Sequence, residues 1–395
     1  MKKLLITVFV VLGLVSNLSA KLIQHTDQIA EIEFTGSAYE LGLYTGEVAK
    51  KQILESIKRF DNILGVMLPG LSTDKLAKKF KEKKVFEKIQ KTSPYGSAYI
   101  SGLAKALDKD INILLAVAMS DEAILESQAN GGIGFLQTET QNNLRSPAKC
   151  SVMGISDKKG KAWAGANFDY MGINYTGLIV LNHTDKKGEK RVILTWAGLI
   201  PYGGISVGGQ AILMNTMADE GTAREKAKGE IIADDATPSF YLSWEAYGIH
   251  QPKEIIDIFK KYKHYTAFFS YTIVDSELPV LTIENNYGGK IHYGEGDYKV
   301  HTNHSLYNSY KFMDDNFGAH TLTRYKTAEK FMKKANMHTS EKEVRNLLES
   351  KPLWKGRGEL MGTVTSTYYK IDGKQIDMYV KTDASHPSVH IKNYK

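Results

Sequence analysis

The 395-residue chain holds a single cysteine, Cys150, and only nine prolines. A lone cysteine rules out an internal disulfide, so that thiol is either a small buried hydrophobe or a group with chemistry to perform. Beyond the N-terminus no apolar run reaches the roughly 20 residues a bilayer span requires. Nor is there a basic stripe with interleaved aromatics. Lys and Arg exceed Asp and Glu to give a formal charge of +7. The lysines are scattered, as in Asp185-Lys186-Lys187-Gly188, which speaks for solubility and against a nucleic-acid partner. The zinc motifs HExxH and CxxC are missing, and no repeat or low-complexity tract interrupts the chain.

What is present begins with a leader pattern. Lys2 and Lys3, an apolar run from Leu4 to Val15 and a small residue at Ala20 follow the order of a secretory signal. Leu18 is the one imperfect residue, being larger than the usual choice there. The pattern predicts a leader over residues 1–20 and an exported chain, periplasmic or secreted, with no membrane span after its removal.

The rest divides at Cys150. From Gly36 to Glu126 the reading is mainly helical: Ile53, Ile57, Phe60 and Leu64 share one helix face. Ile100–Leu107 and Ile111–Leu125 read as two helices separated at Asp108-Lys109-Asp110. From Gln128 to Lys149 the chain is glycine-rich and then polar, through Asn142, Asn143, Ser146 and Pro147. That is the composition of an exposed, cleavable loop.

After Cys150 hairpins are expected: Ser151–Ser156 with Ala162–Asn167, then Leu178–Asn182 with Arg191–Trp196. Ser206–Asn215 reads as a further strand pair. Helices are expected at Ser239–Tyr247 and Pro252–Tyr262, and strands over Phe268–Ile283, at Ile291 and at Val300. Helices at Thr323–Lys334 and Glu341–Leu348 follow, the latter opened by a capping box, Ser340 with Glu343. Strands at Gly362–Ile371 and Ile376–Val380 close the chain. Runs of strands and runs of helices indicate an α+β fold. The expected organisation is a leader (1–20), a helical propeptide or α-chain ending in a processing loop (21–149) and a catalytic β-chain (150–395).

The position of Cys150, between a polar loop and the first strand of a sheet, has a chemical consequence. Cleavage of the Lys149–Cys150 bond would give the thiol its own free α-amine. In model systems the amine titrates near about 7.7–8 and the thiol near about 8.5. Nucleophile and base then sit on one residue, and no histidine is needed.

Cys150-Ser151, a turn and then Ala166-Asn167-Phe168-Asp169 resemble the start of the mature chain in N-terminal-nucleophile (Ntn) hydrolases. The resemblance is to the C45 peptidase or penicillin acyltransferase group and its choloylglycine hydrolase relatives. It recurs at Gly36-Ser37-Ala38-Tyr39-Glu40-Leu41-Gly42 with Gly46, and at Gly208 through Asn215. It recurs again at Val300-His301-Thr302-Asn303-His304 and at Arg324, where the family carries an arginine at a helix start.

The resemblance implies a four-layer αββα sandwich. It implies hydrolysis or transfer of the acyl group of a small linear N-acyl amide, no cofactor or metal, and α- and β-chains that stay associated. Cys150 would be the nucleophile, Asp169 the acid that orients its amine, Asn303 the side-chain oxyanion donor and the Asn215 backbone N–H the second donor. Arg324 would hold the group together. Choloylglycine hydrolases carry an arginine shortly before the acid, where this chain has Gly165-Ala166-Asn167, which favours the acyltransferase-like branch. Lys149 stands where a small residue is commoner, so self-cleavage and trimming by a trypsin-like protease both remain open.

Three other readings compete. Gly204-Ile205-Ser206-Val207-Gly208 satisfies the G-x-S-x-G nucleophile elbow of serine esterases, which must join a strand to a helix. His301 and His304 could be a metal pair, although a third ligand is missing. An exported binding protein that keeps the fold but never matures is the non-enzymatic alternative.

Overall fold

A computed structural model describes residues 19–67, 70–120, 150–171, 175–217, 237–286, 290–307, 315–356, 361–382 and 386–393. The expected leader up to residue 18, the end of the expected helix Ile111–Leu125 beyond residue 120 and the expected loop Gln128–Lys149 lie outside the described residues.

Two strands that the sequence reading missed come first, β1 (Ala20–Gln24) and β2 (Ile29–Thr35). Helices follow: α1 (Ala38–Val48), α2 (Lys50–Met67), α3 (Thr73–Glu82), α4 (Val85–Thr92), α5 (Pro94–Leu107) and α6 (Ile111–Ala118). The apolar face of α2 behaves as its spacing predicts, with Ile53, Ile57, Phe60 and Leu64 all buried. The break after α5 has a local cause. Asp108 takes a left-handed conformation at φ 53°, and the Asp110 side chain accepts from the Asn112 N–H at 2.8 Å to start α6.

The glycine motif near residue 40 proves to be architectural. Ser37 and Glu40 form a reciprocal capping box at the start of α1. A Cβ on Gly42 would lie 2.0 Å from the Tyr99 carbonyl oxygen, and one on Gly102 2.1 Å from that of Tyr39. Only glycine lets α1 and α5 press backbone to backbone.

The second part supplies β3 (Ser151–Ser156), β4 (Lys161–Met171), β5 (Leu178–Thr184), β6 (Lys190–Trp196), β7 (Ile200–Ile205) and β8 (Ala211–Thr216). Helices α7 (Ser239–Ala246) and α8 (Glu254–Lys260) precede β9 (Phe269–Val274), β10 (Val280–Asn286), β11 (Lys290–Gly296) and β12 (Tyr298–His301). The last elements are α9 (Asp315–Met332), α10 (Glu341–Leu348), β13 (Met361–Asp372), β14 (Gln375–Lys381) and β15 (Val389–Asn393). The capping box at Ser340 is present.

The strands form two sheets. One runs β1-β2-β5-β6-β7-β8-β9-β10-β11, the other β12-β3-β4-β13-β14-β15. Every neighbour pair is antiparallel except β2 with β5. Strand β2 comes before Cys150 in the sequence and β5 after it, so the two parts of the chain share one hydrogen-bonded sheet. Strands β3 and β4 approach β8 and β9 of the larger sheet, while α9 and α10 lie against β3, β4, β12 and β13.

This placement is the period-2 alternation of a strand buried on both faces. Val152, Ala162 and Ala164 join the main core, whereas Met153, Ile155 and Trp163 join Val344 and Leu348 in a second cluster under the helices. The chain is therefore a mixed α+β protein.

Three expectations need correcting. Ser206–Asn215 is not a strand pair: β7 ends at Ile205, residues 206–210 turn, and only β8 follows. Gly209 makes that turn at φ 78°. Helix α9 starts at Asp315 instead of Thr323, which puts Arg324 in the body of the helix and not at its start. Strand β15 was missed because its five residues lie beyond the last apolar run the reading used.

Candidate active site

Cys150 immediately precedes β3 and is buried, 2% exposed. Its Sγ lies 3.8 Å from the Asp169 carbonyl oxygen, because the antiparallel register brings the end of β4 alongside. Its own carbonyl oxygen is gripped from two sides. Arg324 Nη1 donates to it at 2.5 Å and Asn215 Nδ2 at 3.3 Å.

Arg324 reaches this point from α9, fully buried. Besides the Cys150 carbonyl it donates to Ser151 Oγ at 3.0 Å, to Asn303 Oδ1 at 2.8 Å and, through Nε, to His320 Nδ1 at 2.9 Å. Burial draws its guanidinium down to about 10, opposed by the charges of Asp169 and Cys150. It stays a cation at neutral pH, and its planar fork suits several acceptors at once better than an ammonium would. Asp169, also fully buried, is the carboxylate in that field.

Asn303 is bound on every polar atom of its side chain. Oδ1 accepts from Arg324, and Nδ2 donates to the Thr216 carbonyl at 2.7 Å, using one of its two hydrogens. Its backbone N–H donates to Thr321 Oγ1 on α9 at 3.0 Å. Asn215 Nδ2 braces two further carbonyls, those of His301 at 3.3 Å and Thr302 at 3.0 Å. The sequence had given Asn215 a role through its backbone; what the structure adds is this side-chain brace.

Beside the thiol lies a small cleft of about 10 Å³, walled by Phe168, Tyr170, Ile200, Met214 and Phe240 with Ala118 and Ser120 from the N-terminal part. That is room for about one water, beside a wall that is apolar and aromatic. Phe168 stacks on Tyr202 with ring centroids 3.9 Å apart. Strand alternation separates the roles: Phe168 and Tyr170 face the cleft, while Ser151 and Asp169 face α9.

The five residues singled out in the sequence, Cys150, Asp169, Asn215, Asn303 and Arg324, are thus brought together from β4, β8, α9 and the starts or ends of β3 and β12. No family model matches the chain, and no curated protein matches it. Among solved structures it is similar to penicillin V acylase from Agrobacterium tumefaciens. That likeness covers 62% of this chain and 86% of the other, at 10% sequence identity and a TM-score of 0.37.

The competing motifs fare differently. Ser206 sits in a strand–turn–strand hairpin with no helix behind it, so the nucleophile-elbow geometry is missing. Its hydroxyl is fully buried, bonded to the Gln210 side chain and accepting from the Gln210 N–H at 3.2 Å. The Gly208-Gly209-Gln210 motif is this turn, anchored by Gln210 Nε2 on Asp275 at 3.0 Å. Ser206→Ala is therefore expected to cost about 1 kcal/mol of stability and to leave amide hydrolysis within twofold of wild type. A tenfold loss of kcat in a folded variant would restore the esterase reading.

The two histidines point to separate partners. His301 Nε2 faces Glu284 Oε1 at 2.8 Å, whereas His304 Nδ1 lies 3.0 Å from Thr321 Oγ1. Burial, reinforced by the charges of His301 and Arg324, lowers His304 to about 3, so it is neutral at neutral pH.

Sequence reasoning missed Glu284, Thr216, Thr321 and Ser151. Glu284 did leave a signal: an acid at the centre of Val280–Asn286, within a strand otherwise rich in buried residues, needs a partner.

Proposed function

We propose that the chain is an exported N-terminal-nucleophile amidohydrolase or acyltransferase acting on a linear N-acyl amide through Cys150, after cleavage of the Lys149–Cys150 bond. The observation that carries this reading is the convergence on one cysteine. Arg324 and Asn215 hold the Cys150 carbonyl, Arg324 also holds Asn303, and Asp169 lies in the same field. A residue clamped by its carbonyl keeps its position when the bond on its amino side is cut.

In the mature site the α-amine of Cys150 takes the thiol proton, and the buried Arg324 cation favours the thiolate. The thiolate attacks the acyl carbonyl, and the remaining Nδ2 hydrogen of Asn303 donates to the developing oxyanion. Collapse expels the amine, which takes the proton back from the ammonium. Water, or an acceptor amine in the transferase case, then releases the acyl group from sulfur. The apolar side chains around the thiol favour an apolar acyl group, and the small cleft they wall would have to widen to admit one.

The layer order supports an αββα sandwich: helices α1–α6 share a core with the nine-stranded sheet, and α9 and α10 cover the smaller one. Residues 21–149 would be the α-chain and residues 150–395 the β-chain. They would remain associated, because β2 is hydrogen-bonded to β5 and Ala118 and Ser120 line the cleft.

Intact-mass spectrometry of the purified exported protein tests this directly. The expected result is two co-eluting chains, one starting near Lys21 and one at Cys150, with turnover of N-acyl amides. A single uncut chain that hydrolyses none of a broad amide panel would leave a binding protein as the better description.

A further inference from the structure

Across three neighbouring strands of the larger sheet, Asn215 on β8 stands opposite Ser270 on β9, and Ser270 opposite Glu284 on β10. All three are buried. The row points across the sandwich at the stretch 301–306, which begins at the end of β12 in the other sheet and carries Asn303.

Glu284 makes most of the contacts. Its Oε1 faces His301 Nε2 at 2.8 Å and accepts from the Leu306 N–H at 2.7 Å, and its Oε2 accepts from Ser305 Oγ at 2.5 Å. Residues on both sides of Asn303 are therefore tied to one carboxylate. Ser270 Oγ lies 2.9 Å from His301 Nδ1, which is also 2.6 Å from the Thr302 carbonyl. Both ring nitrogens of His301 thus have hydrogen-bond partners, Glu284 at Nε2 and Ser270 with the Thr302 carbonyl at Nδ1. Burial pushes the Glu284 carboxyl up. The hydrogen bond and charge of His301, with the donors of Leu306 and Ser305, outweigh it and leave the group below its ordinary value.

We propose that Glu284 is the positioning residue of the site, holding the 301–306 stretch through His301, Ser305 and Leu306 so that the Asn303 amide is aimed at the reacting carbonyl. This rests on the reading of Asn303 as a donor to that carbonyl. The design has a physical logic. A loop that must hold one N–H within a few tenths of an ångström gains more from two anchors flanking the donor than from one beside it. A buried carboxylate with three donors also costs heavily if any donor is withdrawn, so the stretch has one favoured shape.

Glu284→Gln keeps the volume but turns an N–H₂ group toward one of the three donors. On matured protein the expected result is a fall in kcat of about 10–10²-fold with KM within about threefold, the pattern of an interaction lost only in the transition state. Combined with Asn303→Ala, the same change should lower kcat by no more than about threefold further, because the group it positions is already gone. Ser305→Ala withdraws one donor only and serves if Glu284→Gln fails to fold or mature; it should cost about 3–10-fold in kcat. Unchanged kcat in Ser305→Ala and Glu284→Gln, or penalties that multiply fully with Asn303→Ala, would overturn the proposal.

A crystal structure of either variant supplies a readout independent of turnover. Asn303 should leave the Thr216 carbonyl, and an unmoved Asn303 would also overturn the positioning role. Displaced Asn303 in the variant, beside a matured wild type with no amide turnover, would overturn the amidase reading alone.

Discussion

Cys150→Ala is expected to abolish amide hydrolysis and, if the chain cleaves itself, to leave it uncut before residue 150. One sulfur serves both reactions, and the described residues hold no second cysteine to replace it. The loss of turnover should exceed about 10⁴-fold, the scale on which removal of an enzyme's nucleophile is felt. Folding should survive: alanine fits the space, and the Cys150 carbonyl keeps its bonds to Arg324 and Asn215. Gel and mass analysis of the variant, incubated pure, separates the two maturation routes. A variant recovered from cells already cut before residue 150, but not cut further when incubated pure, assigns maturation to an outside protease, for which Lys149 is a suitable residue, and leaves the catalytic role intact. Residual turnover above about a tenth of wild type would remove Cys150 from the role of nucleophile. Cys150→Ser keeps the amine and the geometry but offers a poorer nucleophile near neutral pH, so slow maturation with little hydrolysis is the expected intermediate phenotype.

Asn303→Ala should lower kcat by about 10²-fold and leave KM within a few-fold, since a donor to the oxyanion strengthens only as charge develops. The alanine variant also strips Arg324 of one acceptor and should lose about 1–3 kcal/mol of stability. Asn303→Asp distinguishes the two effects. It retains an oxygen for Arg324 but donates nothing to an oxyanion, so kcat should fall as far as in the alanine variant. Stopped assays on matured protein at saturating substrate, with parallel thermal melts, give both numbers. A chelator should leave the wild-type rate unchanged; inhibition by chelator, with His304→Ala as damaging as Asn303→Ala, would favour the metal pair. A fully active Asn303→Ala enzyme would remove the residue from the mechanism.

Much of this was legible in the chain. The α2 face, the break at Asp108–Asp110, the hairpin of β3 and β4 and the capping box of α10 all follow from local rules. Periodicity and capping involve residues within four positions of one another, and the sequence displays those directly. Boundaries were poorer where neighbours decide them. Helix α9 extends well before Thr323 and places Arg324 mid-helix, and β1 and β15 are short edge strands whose pairing partners define them. The packing role of the motif glycines was not legible either. Gly42 answers to Tyr99 on another helix, and Gly208 to the His250 carbonyl, neither of which is near in sequence.

By itself the sequence determined most of the elements, the singular position of the one thiol at the head of a strand, and a set of residues worth testing. Only the tertiary structure decided that Cys150, Asn303 and Arg324 touch, that Glu284 lies under the stretch bearing Asn303, and that part of the cleft wall comes from the N-terminal segment. The reason is one of range. Helix and strand signals are set by side chains a few residues apart. A buried guanidinium or carboxylate is tolerable only where partners from other elements arrive to satisfy it, and which partners arrive is fixed by sheet register and layer packing.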